Sequence, residues 1–142
     1  MTPSTQASPS VSARIIHLAL VAGVLLFLAV VWWIGRERSV PTEALPDRKV
    51  LYIAVFLVSA ASFSAALFFC NRLDSRAPTE TTDDWWRRNQ GRAMIIWALV
   101  EGPALLGIVG YLLTGDFRVL VATVAGLFLF AHFSPARLVE RA

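Results

Sequence analysis

The sequence predicts an all-α membrane protein, a four-transmembrane-helix bundle made of two antiparallel helical hairpins, on three observations. The 142 residues are 56% hydrophobic and only 16% charged, whereas soluble domains carry about 25% charged residues. The apolar residues fall into four blocks separated by polar stretches, and about 20 helical residues cross ~30 Å of hydrocarbon. Between the last two blocks Thr114-Gly115-Asp116 makes a turn short enough to force an antiparallel return.

Residues 1–13 are rich in Ser, Thr and Pro and lack an apolar period, so a disordered cytoplasmic tail is expected ahead of a transmembrane domain over 14–142. The first span is placed at 15–34. Its 20 residues exceed the core of a signal peptide, and Arg36, Glu37 and Arg38 follow in place of a small-residue cleavage pattern. It ends in Trp32 and Trp33, whose amphipathic rings suit the headgroup region as interface anchors. The loop that follows carries the helix breakers Pro41 and Pro46.

The second span, 50–70, contains Ser59-Ala60-Ala61-Ser62 and Ser64-Ala65-Ala66. Lipid supplies no hydrophobic drive between helices, so small side chains that let backbones approach are a main packing device, and this span is expected to be central. The polar segment 71–92 holds Asp83-Asp84-Trp85-Trp86-Arg87-Arg88. Its second half reads either as a short amphipathic helix in the interface, with Trp85 and Trp86 as anchors, or as a solvated loop. The third and fourth spans are placed at 93–113 and 117–133, the last with 17 residues at the short end of the range.

The 12 Arg and one Lys set orientation. Arg14, Arg72, Arg76, Arg87, Arg88, Arg92, Arg137 and Arg141 lie on one side, against Arg36, Arg38, Arg48, Lys49 and Arg118 on the other. The positive-inside rule puts the first side, with both termini, in the cytoplasm, and a bacterial inner membrane is the expected location. No basic stripe with interleaved aromatics points to nucleic acid. The single cysteine, Cys70, excludes an intramolecular disulfide and multi-cysteine metal sites. No Ser-His-Asp set, metal-ligand spacing or phosphate-cradling glycine loop is present, so no catalytic residue, metal or cofactor is expected. Ala19-Leu20-Val21-Ala22-Gly23 matches Ala98-Leu99-Val100-Glu101-Gly102, by duplication of a hairpin or by chance.

Glu101 is the one carboxylate inside any span. Eight residues past Ala93, it sits ~12 Å deep, close to the midplane, where an ionised acid costs several kcal/mol and a proton or a partner is expected. Pro103 has no N–H for the Leu99 carbonyl, so Gly102-Pro103 is expected to kink the helix and leave an acceptor free beside the acid. From depth alone, Ser62 and Ser59 on the second span and Thr123 on the fourth are candidate partners of Glu101. His17 and His132 lie near helix ends, where side chains reaching for water are expected.

Glu101, Ala104, Leu105, Gly107, Ile108 and Val109 form E-x-x-A-L-x-G-I-V, which resembles the carboxylate-bearing helix of the rotor-ring proteolipid (c-type) subunits of rotary ATP synthases. Arg87-Arg88-Asn89-Gln90 is similar to the polar loop that precedes that helix. The resemblance implies a proton- or sodium-binding role for Glu101.

Two readings follow. In one, the chain is a non-enzymatic helical subunit or scaffold whose Glu101 bridges helices, assembled with other membrane subunits or with copies of itself. In the other, it is a proteolipid-like proton or cation carrier with Glu101 as the ion-binding carboxylate.

Overall fold

The computed structural model describes residues 8–37 and 48–141, and every regular element among them is helical. The helices are α1 (Pro9–Glu37), α2 (Arg48–Cys70), α3 (Thr82–Thr114), α4 (Leu120–His132) and α5 (Pro135–Arg141), with a 3-10 turn at Phe117–Val119. Three of them, α1, α2 and α3, are each long and apolar enough to cross a membrane; α4 passes that test only together with α5, from which it is bent by 58°. Large apolar side chains point outward along the bundle, among them Leu26 (68% exposed), Phe56 (72%) and Phe128 (71%). Such a surface suits lipid as its solvent and would be a liability in water.

The central element is α3, not the small-residue helix α2. It packs on α1, α2 and α4, and half of its apolar stretch is buried against 17% for α1 and for α2. Alignment follows from the ends. Ser10 meets Asp83 at one end of α1 and α3, Trp32 stacks on Tyr111 at the other, so these helices run parallel. Tyr52, near the start of α2, reaches Asp116 after the end of α3, so α2 runs against them.

The bounds of α1, α2 and α3 exceed the expected spans, whereas α4 at Leu120–His132 falls short of the expected 117–133. α1 begins at Pro9, so residues 9–13 are helical and not part of a disordered tail; Pro9 follows Ser8, and proline suits the first helical position because its missing N–H has no partner there. Residues 1–7 lie outside the described set, as does 38–47 with Pro41 and Pro46. The next N–H, of Ser10, donates to the Asp83 carboxylate at 3.2 Å. α3 begins at Thr82, eleven residues before the expected span. Thr81 caps it, its hydroxyl accepting from the Asp84 N–H at 3.2 Å and donating to the Asp84 carboxylate at 2.7 Å, so one first-turn donor is satisfied and the cap's hydroxyl is held in place. The segment before α3 is tied down by Asn89, fully buried, which accepts from the Asp74 N–H at 3.1 Å and donates to the Trp85 carbonyl at 3.2 Å.

Trp85 and Trp86 are therefore not indoles lying in the headgroups. They are 0% and 2% exposed, on the inward face of the first turns of α3, and meet edge to face at 5.1 Å. Trp86 continues to Trp97 at 6.1 Å, and Trp97 to His17 at 5.3 Å. Ring pairs in this distance range add about 0.5–1.5 kcal/mol each beyond area burial. Trp85 also donates to the Asp74 carbonyl at 2.8 Å. Trp32 and Trp33, by contrast, are 46% and 67% exposed, with the Arg36 guanidinium 5.8 Å above the Trp32 ring.

With 13 residues, α4 spans only ~20 Å, and its last carbonyls end inside the protein. Those carbonyls have no partner within the helix. His17, 8% exposed, donates from Nε2 to the Phe130 carbonyl at 3.0 Å, because a carbonyl can only accept. Trp97 donates to the Phe133 carbonyl at 2.9 Å. His17 thus ties α1 to α4 instead of reaching for water. The chain then turns at Ser134-Pro135 into α5, whose Leu138 is fully buried. At the opposite end Gly115 closes α3 in a left-handed conformation (φ 67°), its N–H donating to the Tyr111 carbonyl, as glycine does at helix ends.

Trp97→Phe keeps the ring and removes the donor, leaving the buried Phe133 carbonyl unmatched. The expected loss is about 1–3 kcal/mol, read as a lower Tm in mild detergent; an unchanged Tm contradicts the assignment. A second expectation concerns Asp116, which accepts from the Arg118 N–H at 2.9 Å and the Tyr52 hydroxyl at 2.8 Å. These bonds, the backbone one foremost, hold its carboxyl below the usual carboxylate range. A value lowered by folding contributes stability above the unfolded value of about 3.9, and that stability disappears as pH falls through the folded value. Asp116→Asn should lower Tm at neutral pH, with the gap to wild type closing below about pH 4; a gap constant from pH 7 to pH 3 would contradict the tie.

Candidate functional site

The site is built on the middle of α3, where the helix passes through Gly102 and Pro103 as one continuous element. Glu101 stands at the border of two faces. Trp97, Ala104 and Ile108, spaced four, three and seven residues away, are all fully buried. Met94, Ala98 and Gly102 form the adjoining exposed stripe. Glu101 itself is half-buried, and among the described residues no hydrogen bond or ion pair engages its carboxyl.

The candidate partners matched in depth face elsewhere. Thr123 is buried, and its hydroxyl donates to the Ala104 carbonyl at 2.7 Å, joining α4 to α3 one turn past Glu101. Ser59 lines a groove between α2 and α4 that Glu101 does not reach; its hydroxyl is buried without a partner. Ser62 is half-buried on α2 and makes no hydrogen bond to Glu101. The four side chains are thus not gathered around one ion.

Close approach of helices occurs at glycines of α3 and α4. A Cβ on Gly107 would stand 2.6 Å from the Thr123 hydroxyl and 2.9 Å from the Val119 carbonyl oxygen. One on Gly126 would stand 2.7 Å from the Ala104 Cβ and 3.2 Å from the Val100 carbonyl oxygen. Bare backbones at these positions bring Thr123 within reach of Ala104, so this hairpin too packs through small residues, as α2 does with its buried Ser59 and Ala66. Gly107 and Gly126 were the available signal in the sequence.

Gly102 and Gly23 differ, since a Cβ on either meets nothing within 4 Å. They are open positions on the outer surface of α3 and α1, each four residues after an exposed alanine, Ala98 and Ala19. The carboxyl of Glu101 therefore adjoins a stripe of small side chains that no part of the described chain covers.

Comparison with known protein families, with curated proteins and with solved structures finds no match to this chain.

Gly107→Ala and Gly126→Ala each force α3 and α4 apart, at an expected cost of about 1–3 kcal/mol. In a detergent that keeps the chain monomeric, Gly102→Ala should be neutral or stabilising by roughly 0.5–1 kcal/mol, because alanine loses less entropy in a helix. Thermal unfolding of the three variants in the same detergent checks the contrast; equal effects at all three would contradict the hairpin contact.

Proposed function

We propose that the chain is a non-enzymatic helical subunit or scaffold of a larger membrane assembly, in which Glu101 bridges α3 to a helix of a neighbouring chain. A single observation carries this reading. The carboxyl lies near the middle of an apolar helix, borders an exposed stripe with Ala98 and Gly102, and has no partner among the described residues. A polar group in hydrocarbon without a partner costs several kcal/mol. Small residues beside it let a second backbone come near enough to offer one.

In this proposal α4 and α5 complete a fourth crossing and both termini face the cytoplasm of a bacterial inner membrane. Support comes from the ends of the bundle. Ser10, the segment before α3 and α5 share one end: Ser10 bonds Asp83, and Leu138 and Arg141 of α5 adjoin Cys70, Asn71 and Leu73. That end collects eight arginines, against four basic residues among the described ones at the other. Three arginines there pair with Asp74, Glu80 and Asp84 at 2.7–2.9 Å, all partly exposed and worth about 0–1 kcal/mol each.

The half-exposure of Glu101 also favours a second reading, a proton or cation carrier in which that carboxyl meets its ion from the bilayer side. One set of variants separates the two. Glu101→Gln keeps a donor and an acceptor, whereas Glu101→Leu keeps neither. For a bridge, native mass measurement in mild detergent should find an assembly that survives the Gln substitution and weakens roughly three- to thirty-fold with Leu, as expected for an interhelical hydrogen bond of ~0.6–2 kcal/mol. A monomer in wild type and variants alike contradicts it. For a carrier, reconstituted vesicles lose proton flux with Gln while the assembly stays intact, and a carbodiimide labels Glu101.

A further inference from the structure

α2 and α4 both pack on α3 and also touch each other, leaving between them a groove of about 570 Å³ that the bridging role does not use. On α2 it runs from Tyr52 to Phe63, eleven residues or ~16 Å of helix. Rims at Phe56 and Val121, 72% and 69% exposed, open it to the outside of the bundle. Inside the mouth formed by Tyr52 and Arg118 its described lining is apolar except for Ser59. Ser59 is 6% exposed, and its hydroxyl is the one buried side-chain polar atom among the described residues without a hydrogen-bond partner. Even the Val55 carbonyl one turn back, where a helical serine ordinarily turns, does not receive its proton. A buried hydroxyl left unbonded costs about 1–3 kcal/mol. A molecule seated in the groove removes that cost, since one rotamer step of the serine side chain brings its oxygen onto the groove.

Size, depth and neighbours select the chemistry of that molecule. A helix, ~10–12 Å across with its side chains, does not enter a cleft between two helices that touch. Ser59 lies nine residues past Val50, where the apolar part of α2 begins, hence ~14 Å from the boundary and near the middle of a ~30 Å core. Phospholipid ester groups stay at the boundary and do not reach that level, and a charged group there costs several kcal/mol. The matching polar atom therefore belongs to an uncharged molecule that lies wholly among hydrocarbon chains. A carbonyl oxygen accepts and brings no proton of its own to place, so it answers a hydroxyl most simply. Phe56 and Phe63, three residues before and four after Ser59, share its helical face. Two aromatic side chains thus bracket the hydroxyl, and stacking on them favours a flat ring as the carrier of the carbonyl.

We propose that the α2–α4 groove binds an uncharged membrane quinone, a carbonyl of its ring accepting from Ser59, the ring lying by Phe56 and Phe63 and its hydrocarbon tail along the apolar wall. Small side chains at Ser59 and Ala122 make the room. Glu101 does not line this groove, so the site is independent of the bridge.

Native mass spectrometry of the full chain in mild detergent, titrated in parallel with decylbenzoquinone and with decylbenzene, which has the same shape without carbonyls, tests this. Wild type should hold one quinone about fivefold more tightly than the hydrocarbon, as expected for one neutral hydrogen bond, and the infrared band of one quinone carbonyl should move down on binding. Ser59→Ala should remove both the preference and the band shift, and Ala122→Phe should abolish binding by filling the groove. Glu101→Leu should leave quinone binding unchanged whatever assembly it forms, which keeps this proposal separable from the bridge. Equal retention of the two ligands overturns the proposal, as does a preference and a band that Ser59→Ala leaves unchanged. So does a second copy of the chain that departs on Ala122→Phe, since the groove is then a protein interface. Should Ala122→Phe not fold, Ser59→Ala decides alone.

Discussion

The structure depends on one constraint: polar atoms removed from water need a partner, and in hydrocarbon the protein must supply it. This explains how a helix as short as α4 is accommodated. Its 13 residues stop inside the protein, and the carbonyls at its end are answered by His17 on α1 and Trp97 on α3. Those two donors hold three helices at one point. They also free the chain to turn at Ser134-Pro135, so that α5 lays Leu138 into the core. Thr123 obeys the same rule one level deeper, giving its proton to the Ala104 carbonyl.

The bundle is lopsided as a result. α3 is held from α1, α2 and α4, while one flank, through Met94, Ala98 and Gly102, is covered by none of the described residues. Glu101 lies on the edge of that flank, and among the described residues the internal matching does not extend to its carboxyl, nor to the buried Ser59 hydroxyl. The tight side of α3 is built from Gly107 against α4; the open side has Gly102, where the added atom meets nothing. An acid placed between a sealed face and an open one is suited to joining this chain to another, and the proposed function follows from that placement.

Long apolar runs made the helices legible from sequence, and the turn at Thr114-Gly115-Asp116 fell where its residue types indicate. Ends were less legible, for a physical reason. Hydropathy measures the length that lies in hydrocarbon, whereas a helix continues for as long as its backbone donors are met. Thr81 with Asp84, and Ser8 with Pro9, extend α3 and α1 into polar sequence. Trp85 and Trp86 were misplaced because tryptophan favours interfaces on average, and only the tertiary cluster with Trp97 and His17 draws both rings inward. The site was half legible. Position along a helix, at ~1.5 Å per residue, follows from counting, but the direction a side chain faces depends on which helix is central. Once α3 takes that place, Ser59 turns toward α4 and Thr123 toward the α3 backbone. The glycines that set the α3–α4 contact are visible in the sequence beside the serine and alanine run of α2, and both serve packing on α3.

The central claim is that Glu101 finds its hydrogen bond on another chain. Its infrared carbonyl band, identified by difference from Glu101→Gln in lipid, reports that bond directly. The account expects a hydrogen-bonded band at high protein-to-lipid ratio that moves to the free-carboxyl position as the protein is diluted into excess lipid. A free-carboxyl band at every ratio would contradict it.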